Sequence, residues 1–183
     1  MSINWKLIET QLDITFNHAK PSNETDAAIS IANAYEAGIL SATTLFQNTI
    51  ISYNKPLLIS SLSSAFVLAR TTSKLNIKLI VNGFVGFWIG AMLSPLPMHP
   101  PTVSPSPILP PCIVTYPGDP TLLETALKTA FITFSGKTSN LTIQSIILAL
   151  KSHVATISGV YNGMIVSPTG LIPSPPIPWV GIF

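Results

Sequence analysis

The sequence predicts a mainly α-helical protein: a small bundle of about six helices, two extended proline-rich arms and a short β pairing. Three observations lead there. The chain has 183 residues, 47% of them hydrophobic and only 9% charged, with a mean hydropathy of +0.50. Over most of its length the apolar residues recur at the three-and-four spacing that gathers them on one face of a helix. Fifteen of the seventeen prolines fall in two tracts, residues 94–120 and 167–178. Proline lacks an N–H and clashes with the preceding turn, so these tracts fit neither a helix interior nor a central strand and must be extended.

The first helix is expected over residues 3–19, where Trp5, Ile8, Leu12, Phe16 and Ala19 form one stripe and Lys20-Pro21 stops it. A second starts near Asp26, with Glu24 placing negative charge at the positive end of the helix dipole. It carries Ala28, Ile31, Tyr35, Ile39, Ala42 and Phe46 and ends before Pro56. Leu58, Leu62, Phe66 and Ala69 mark a third helix with serines on its outer side, and a fourth, over about 74–93, is apolar almost all round. Asp119-Pro120 is a start signal: a capping carboxylate, then a proline at the first helical position, where its missing N–H costs nothing. That fifth helix carries Leu123, Leu127, Ala130 or Phe131, and Phe134, and runs to Gly136. Ser139 opens the last, bearing Ile143, Ile146, Ile147, Leu150, Val154 and Ile157 and ending near Gly159 or Gly163. Two runs are β-prone, Cys112–Tyr116 and Trp179–Phe183, and they are expected to pair with each other or with a neighbouring chain.

These elements divide the chain into an N-terminal helical block (1–93), an extended proline-rich arm (94–118), a C-terminal helical hairpin (119–166) and a C-terminal arm (167–183). Each half runs through glycine, an apolar stretch and Ser-Pro, at Gly90–Pro95 and Gly163–Pro168, a plan compatible with a diverged duplication. The ionic groups are unevenly spread. Five of the seven acids lie in residues 1–36, and no charged residue occurs over 79–118 or 152–183. Soluble domains carry about a quarter charged residues, so much of this surface is expected to be covered by something else.

The motifs argue against catalysis. Ser135-Gly136-Lys137-Thr138 matches the end of a phosphate-binding loop, but the glycine required five residues before Gly136 is Phe131, and Gly136 reads as a helix C-cap. His18, His99 and His153 have no ligand partner three or four residues away, so no metal site is expected, and His153 reads as a hydrogen-bonded helix histidine. There is no Gly-x-Ser-x-Gly elbow and no supply of paired carboxylates. Hence no enzyme activity and no cofactor are expected. Cys112 is alone and reads as a small buried hydrophobe. Four scattered cations between 37 and 118 are too few to displace counterions from phosphates, so no nucleic-acid binding is expected. The start of the chain lacks the pattern of a secretory signal, which points to a reducing compartment.

Two features point to association. The arms interleave proline with large apolar residues, so they arrive pre-extended and gain by burial. Met98, Leu109, Tyr116, Ile177, Trp179 and Phe183 are the expected subunit contacts. In the fourth helix, Gly83, Gly86 and Gly90 beside Trp88 are expected to admit close packing by another backbone. The same stretch, 75–93, is the strongest membrane candidate, although its apolar run is shorter than the roughly 20 residues a bilayer core requires.

The second helix Ala27-Ala28-Ile29-Ser30-Ile31-Ala32-Asn33-Ala34-Tyr35, the turn Val114-Thr115-Tyr116-Pro117-Gly118-Asp119-Pro120 and the ending Pro178-Trp179-Val180-Gly181-Ile182-Phe183 together resemble virion structural proteins of tailed bacteriophages. The resemblance implies a component of a head, neck, tail or baseplate, present in repeated copies. Its partners would be copies of itself and other virion proteins, and its place a virion assembled in the host cytoplasm. The alternative reading is a small integral membrane protein, channel or holin-like, anchored through 75–93.

Overall fold

A computed structural model describes residues 3–15, 23–42, 49–94, 111–133, 139–161, 164–167, 170–173 and 176–182. Mainly α describes it well. Six helices, α1 (Trp5–Asp13), α2 (Glu24–Ile39), α3 (Lys55–Thr72), α4 (Ile77–Trp88), α5 (Pro120–Thr133) and α6 (Ser139–Val154), are joined by short strands β1 (Ile50–Ser52), β2 (Met92–Leu93), β3 (Cys112–Tyr116), β4 (Ser158–Tyr161), β5 (Met164–Ser167), β6 (Gly170–Pro173) and β7 (Ile177–Val180).

Local chemistry sets the helix starts. Asn4, Asn23, Asn54 and Asn76 cap α1 to α4, each side chain accepting a hydrogen bond from a backbone N–H of the first turn. This satisfies a donor that has no partner inside the helix. The cap of α2 is therefore Asn23 rather than Asp26, whose own N–H is the one bonded, at 2.8 Å. Asp119 caps α5 as the sequence suggests, its Oδ1 accepting from Thr121 and Leu122 N–H at 2.8 and 3.0 Å. Pro56 lies in the first turn of α3, so it begins a helix rather than ending the one before. The second helix stops at Ile39, and β1 fills part of the stretch expected to continue it.

The helices form a ring. Each packs on the next, and α1 packs on α6 to close it. Two or three residues separate β1 from α3, α4 from β2, β3 from α5 and α6 from β4, so these helix ends lie at one pole of the ring. Asn4 N–H donates to Gly38 O at 3.1 Å, which brings the start of α1 and the end of α2 to the same pole. The helices thus alternate up and down.

At this pole sits an antiparallel sheet in the order β1-β2-β3-β4-β7, while β5 and β6 pair apart from it. Cys112–Tyr116 and the 177–180 strand do not pair with each other. Both pair with β4, a stretch that the sequence predicts as the end of the last helix. α6 instead stops at Val154, where Thr156 Oγ1–H turns back to His153 O at 2.7 Å and Asp119 N–H donates to Thr156 Oγ1 at 2.8 Å. One face of the sheet, with Leu93, Cys112, Val114, Tyr161 and Trp179, joins the helices in a single hydrophobic core.

Candidate functional site

Two places in this fold are chemically distinctive: the outer face of the sheet and the axis of the ring. Strand register defines the first. Met92 pairs with Ile113, Ile113 with Val160, and Val160 with Pro178, so these four side chains share one face. It is the face opposite buried Leu93, Cys112, Gly159 and Trp179. Tyr116 and Val180 pair across Ser158 in the next row. Ile113 is 40% exposed, Tyr116 43% and Val180 60%. None of the seven strands contains a charged residue, although sheets usually guard exposed strands with Lys. The two edges are blunted in other ways, β1 by its three-residue length and β7 by Pro178.

The expected subunit contacts divide accordingly. Tyr116 is exposed on the outer face; Ile177 is also exposed, but it pairs with buried Tyr161 and so shares the face of Trp179 rather than the outer one. Trp179, contrary to expectation, is buried in the chain's own core, lying where a side chain at Gly159 would otherwise stand. The C-terminal tract is therefore not an arm over 177–180 but a strand of the sheet, because alternation turns Trp179 inward while Pro178 and Val180 face out. Met98, Leu109 and Phe183 lie outside the described residues, as do Ser135–Thr138, His18, His99 and residues 95–110.

In α4, Gly83 and Gly86 do admit another element. A Cβ at Gly83 would crowd Ser61 and Leu58, and one at Gly86 would run into Leu57, so both lie against α3. Trp88 is fully buried and its Nε1–H donates to Tyr35 Oη at 3.0 Å. Gly90 is not a packing residue. It lies beyond the end of α4 with φ +71° and nothing near its absent Cβ, a left-handed conformation that turns the chain into β2. Among the described residues no helix is long and apolar enough to cross a membrane, and α4 has 12 residues.

The axis of the ring is a lumen. Every helix contributes two residues four apart, which stack on one helical face. Ile8, Tyr35, Leu62, Phe84, Leu127 and Leu150 form the rung nearer the sheet, and Leu12, Ile31, Phe66, Ile80, Phe131 and Ile146 the rung farther from it. Between them is a cavity of about 40 Å³. One turn nearer the sheet, Ile39, Leu58, Trp88, Leu123 and Val154 are all buried. In the far rung Phe66 and Phe131 are only partly buried. The one polar atom carried by the lining side chains is Tyr35 Oη, already engaged by Trp88 and pushed by burial well above the ordinary tyrosine range.

The remaining ionisable groups have structural surroundings. Tyr53 Oη–H and Lys55 Nζ each donate to the Glu36 carboxylate at 2.6 Å, tying α2 to the start of α3. Burial raises the affinity of Glu36 for its proton, but the two hydrogen bonds outweigh it and leave the carboxyl below its usual range, while Tyr53 is pushed up to about 12. Burial pushes the Cys112 thiol up to about 11, which leaves it un-ionised and unreactive. His153 is fully buried, and neither ring nitrogen makes a hydrogen bond of good geometry, although the Pro117 carbonyl lies close enough to favour the charged ring. Gly118, at φ +97°, leaves the space that the imidazole occupies. Among the described residues no group of three potential ligands gathers to hold a metal ion. No family model, curated protein or solved structure matches the chain.

Proposed function

We propose that this protein is a structural subunit of a larger particle, of the tailed-phage virion kind that its pattern resembles, and that it docks through the outer face of its five-stranded sheet. The observation that carries this reading is the row Met92, Ile113, Val160 and Pro178 with Tyr116 and Val180 beside it, apolar and accessible on a sheet without a single charge. With its edges blunted, such a sheet is suited to face-to-face packing rather than strand addition. Association gains about 25 cal/mol for each Å² of apolar surface covered. The β-branched residues of this face lose little rotamer freedom when they become fixed.

No reaction is involved in this role; its mechanism is burial on assembly. The partners are further copies of this chain and the neighbouring proteins of the particle, put together in the host cytoplasm. Ile113→Lys combined with Val180→Lys tests it, because both side chains point outward and the double variant should fold. Light scattering should show loss of large species, with far-UV circular dichroism unchanged. Undiminished assembly by the folded double variant would refute docking through this face.

A further inference from the structure

The lumen does not take part in sheet docking, and its surroundings point to a second role. Phe131 of the far rung also lines an open groove of about 440 Å³ with Leu75, Ile77, Ile132 and Lys128. Leu75, Ile77 and Lys128 continue into a further groove of about 500 Å³, bordered by Lys74, Lys78 and Glu124. An apolar hole, an apolar channel and a cationic rim thus follow one another over α3, α4 and α5. Three lysines against one glutamate leave the rim two positive charges in excess, and Glu124 is already held by Lys128 at 2.6 Å. Lys74 and Lys78 are exposed.

We propose that this is a binding site for a single-chain anionic amphiphile, a free fatty-acid-like carboxylate, with its tail end in the lumen past Phe131 and its head on Lys74 and Lys78. The lumen selects the tail. A water molecule needs two to four polar partners, and a cavity must approach roughly 150 Å³ before it takes an aromatic ring. The lumen offers one engaged hydroxyl and about 40 Å³, which leaves a thin, unbranched hydrocarbon. The rim selects the head, since a carboxylate gains at the lysines what a cationic head would lose.

Isothermal titration calorimetry of the full-length chain with decanoate and laurate, kept below their micelle concentrations, reads this directly. One-to-one binding is expected, tightening about fourfold for each added methylene. Dodecyltrimethylammonium should bind at least tenfold more weakly than laurate, and Lys74→Gln with Lys78→Gln should weaken laurate at least fivefold. Ile146→Trp, which fills the lumen, should abolish binding with the melting temperature maintained; should it fail to fold, the lysine variant decides alone. Absence of saturable binding, equal affinity for the two head groups, laurate binding unchanged in a folded Ile146→Trp or in the lysine variant, or binding only to phosphatidylglycerol vesicles would each overturn the proposal.

Discussion

His153 sits at the end of α6 with its imidazole enclosed by protein and packed against Gly118. Burial disfavours the charged ring, and although the Pro117 carbonyl and the Asp119 carboxylate favour it, burial wins and lowers its pKa to about 4. The ordinary value, which applies to the unfolded chain, is about 6.5. Between these two values the unfolded state takes a proton that the folded state refuses. Stability should therefore be full above about pH 6.5, decline as the pH falls towards 4 and level off below, by on the order of 3 kcal/mol in all. Urea unfolding of the wild type and of His153→Leu at pH 7.5, 5.5 and 4.5 checks this: the variant should lose much less of its midpoint than the wild type. Parallel losses would show that His153 is not the group responsible.

The Tyr35–Trp88 hydrogen bond is the other buried polar contact with a measurable consequence. Removing one partner orphans the other inside the core, at about 1–3 kcal/mol. Tyr35→Phe and Trp88→Phe should each destabilise by at least that much, the second more because it also leaves a void. The double variant should cost less than the sum, since no orphan remains. Additive losses in a double-mutant cycle would mean that the bond contributes nothing to stability.

Among the elements, the helix starts offer the most direct test. Asn4, Asn23, Asn54 and Asn76 each cap a helix, so replacing any one by Ala should lower stability by about 1 kcal/mol. Asn33, exposed within α2, supplies the comparison: Asn33→Ala should be neutral or stabilising, because Ala favours helix interiors. Thermal melts of the five variants distinguish capping from a general effect of losing asparagine. At Gly86 a larger residue would have to displace Leu57, so Gly86→Leu should cost about 1–3 kcal/mol through overpacking between α3 and α4.

The sequence revealed much at this scale, and where it misled there is a local reason. Ile8 and Leu12, Ile31 and Tyr35, Leu62 and Phe66, Ile146 and Leu150 all stood on the apolar stripes, because a buried face leaves a periodic trace. α4, apolar all round, left none, so Ile80 and Phe84 could not be singled out. The strands were harder. Ser158-Gly159-Val160-Tyr161 is too short and too mixed to declare itself, and it is a strand because β3 and β7 flank it. The β5 and β6 hairpin did leave a signal: two apolar runs separated by Ser167-Pro168-Thr169-Gly170, a turn composition. Pro56 resembles a stop for the second helix, yet Asn54, two residues earlier, caps α3 and makes the proline part of a start.

For the molecule as a whole, closure of the ring could not be read from periodicity, since each stripe says that a face is buried but not which neighbour buries it. The lumen is a property of six helices together, and the sheet face is a property of strands brought side by side from distant parts of the chain. What the composition did convey was the shortage of charge, and the structure shows one place where that shortage is concentrated, the five-stranded sheet at one pole of the ring. A protein built this way should not remain alone in water. Sedimentation velocity of the wild-type chain in plain buffer, over a hundredfold range of concentration, measures this most directly. Docking through the sheet face predicts species whose masses are multiples of 19.6 kDa and grow with concentration; a single 19.6 kDa boundary throughout the range would contradict it.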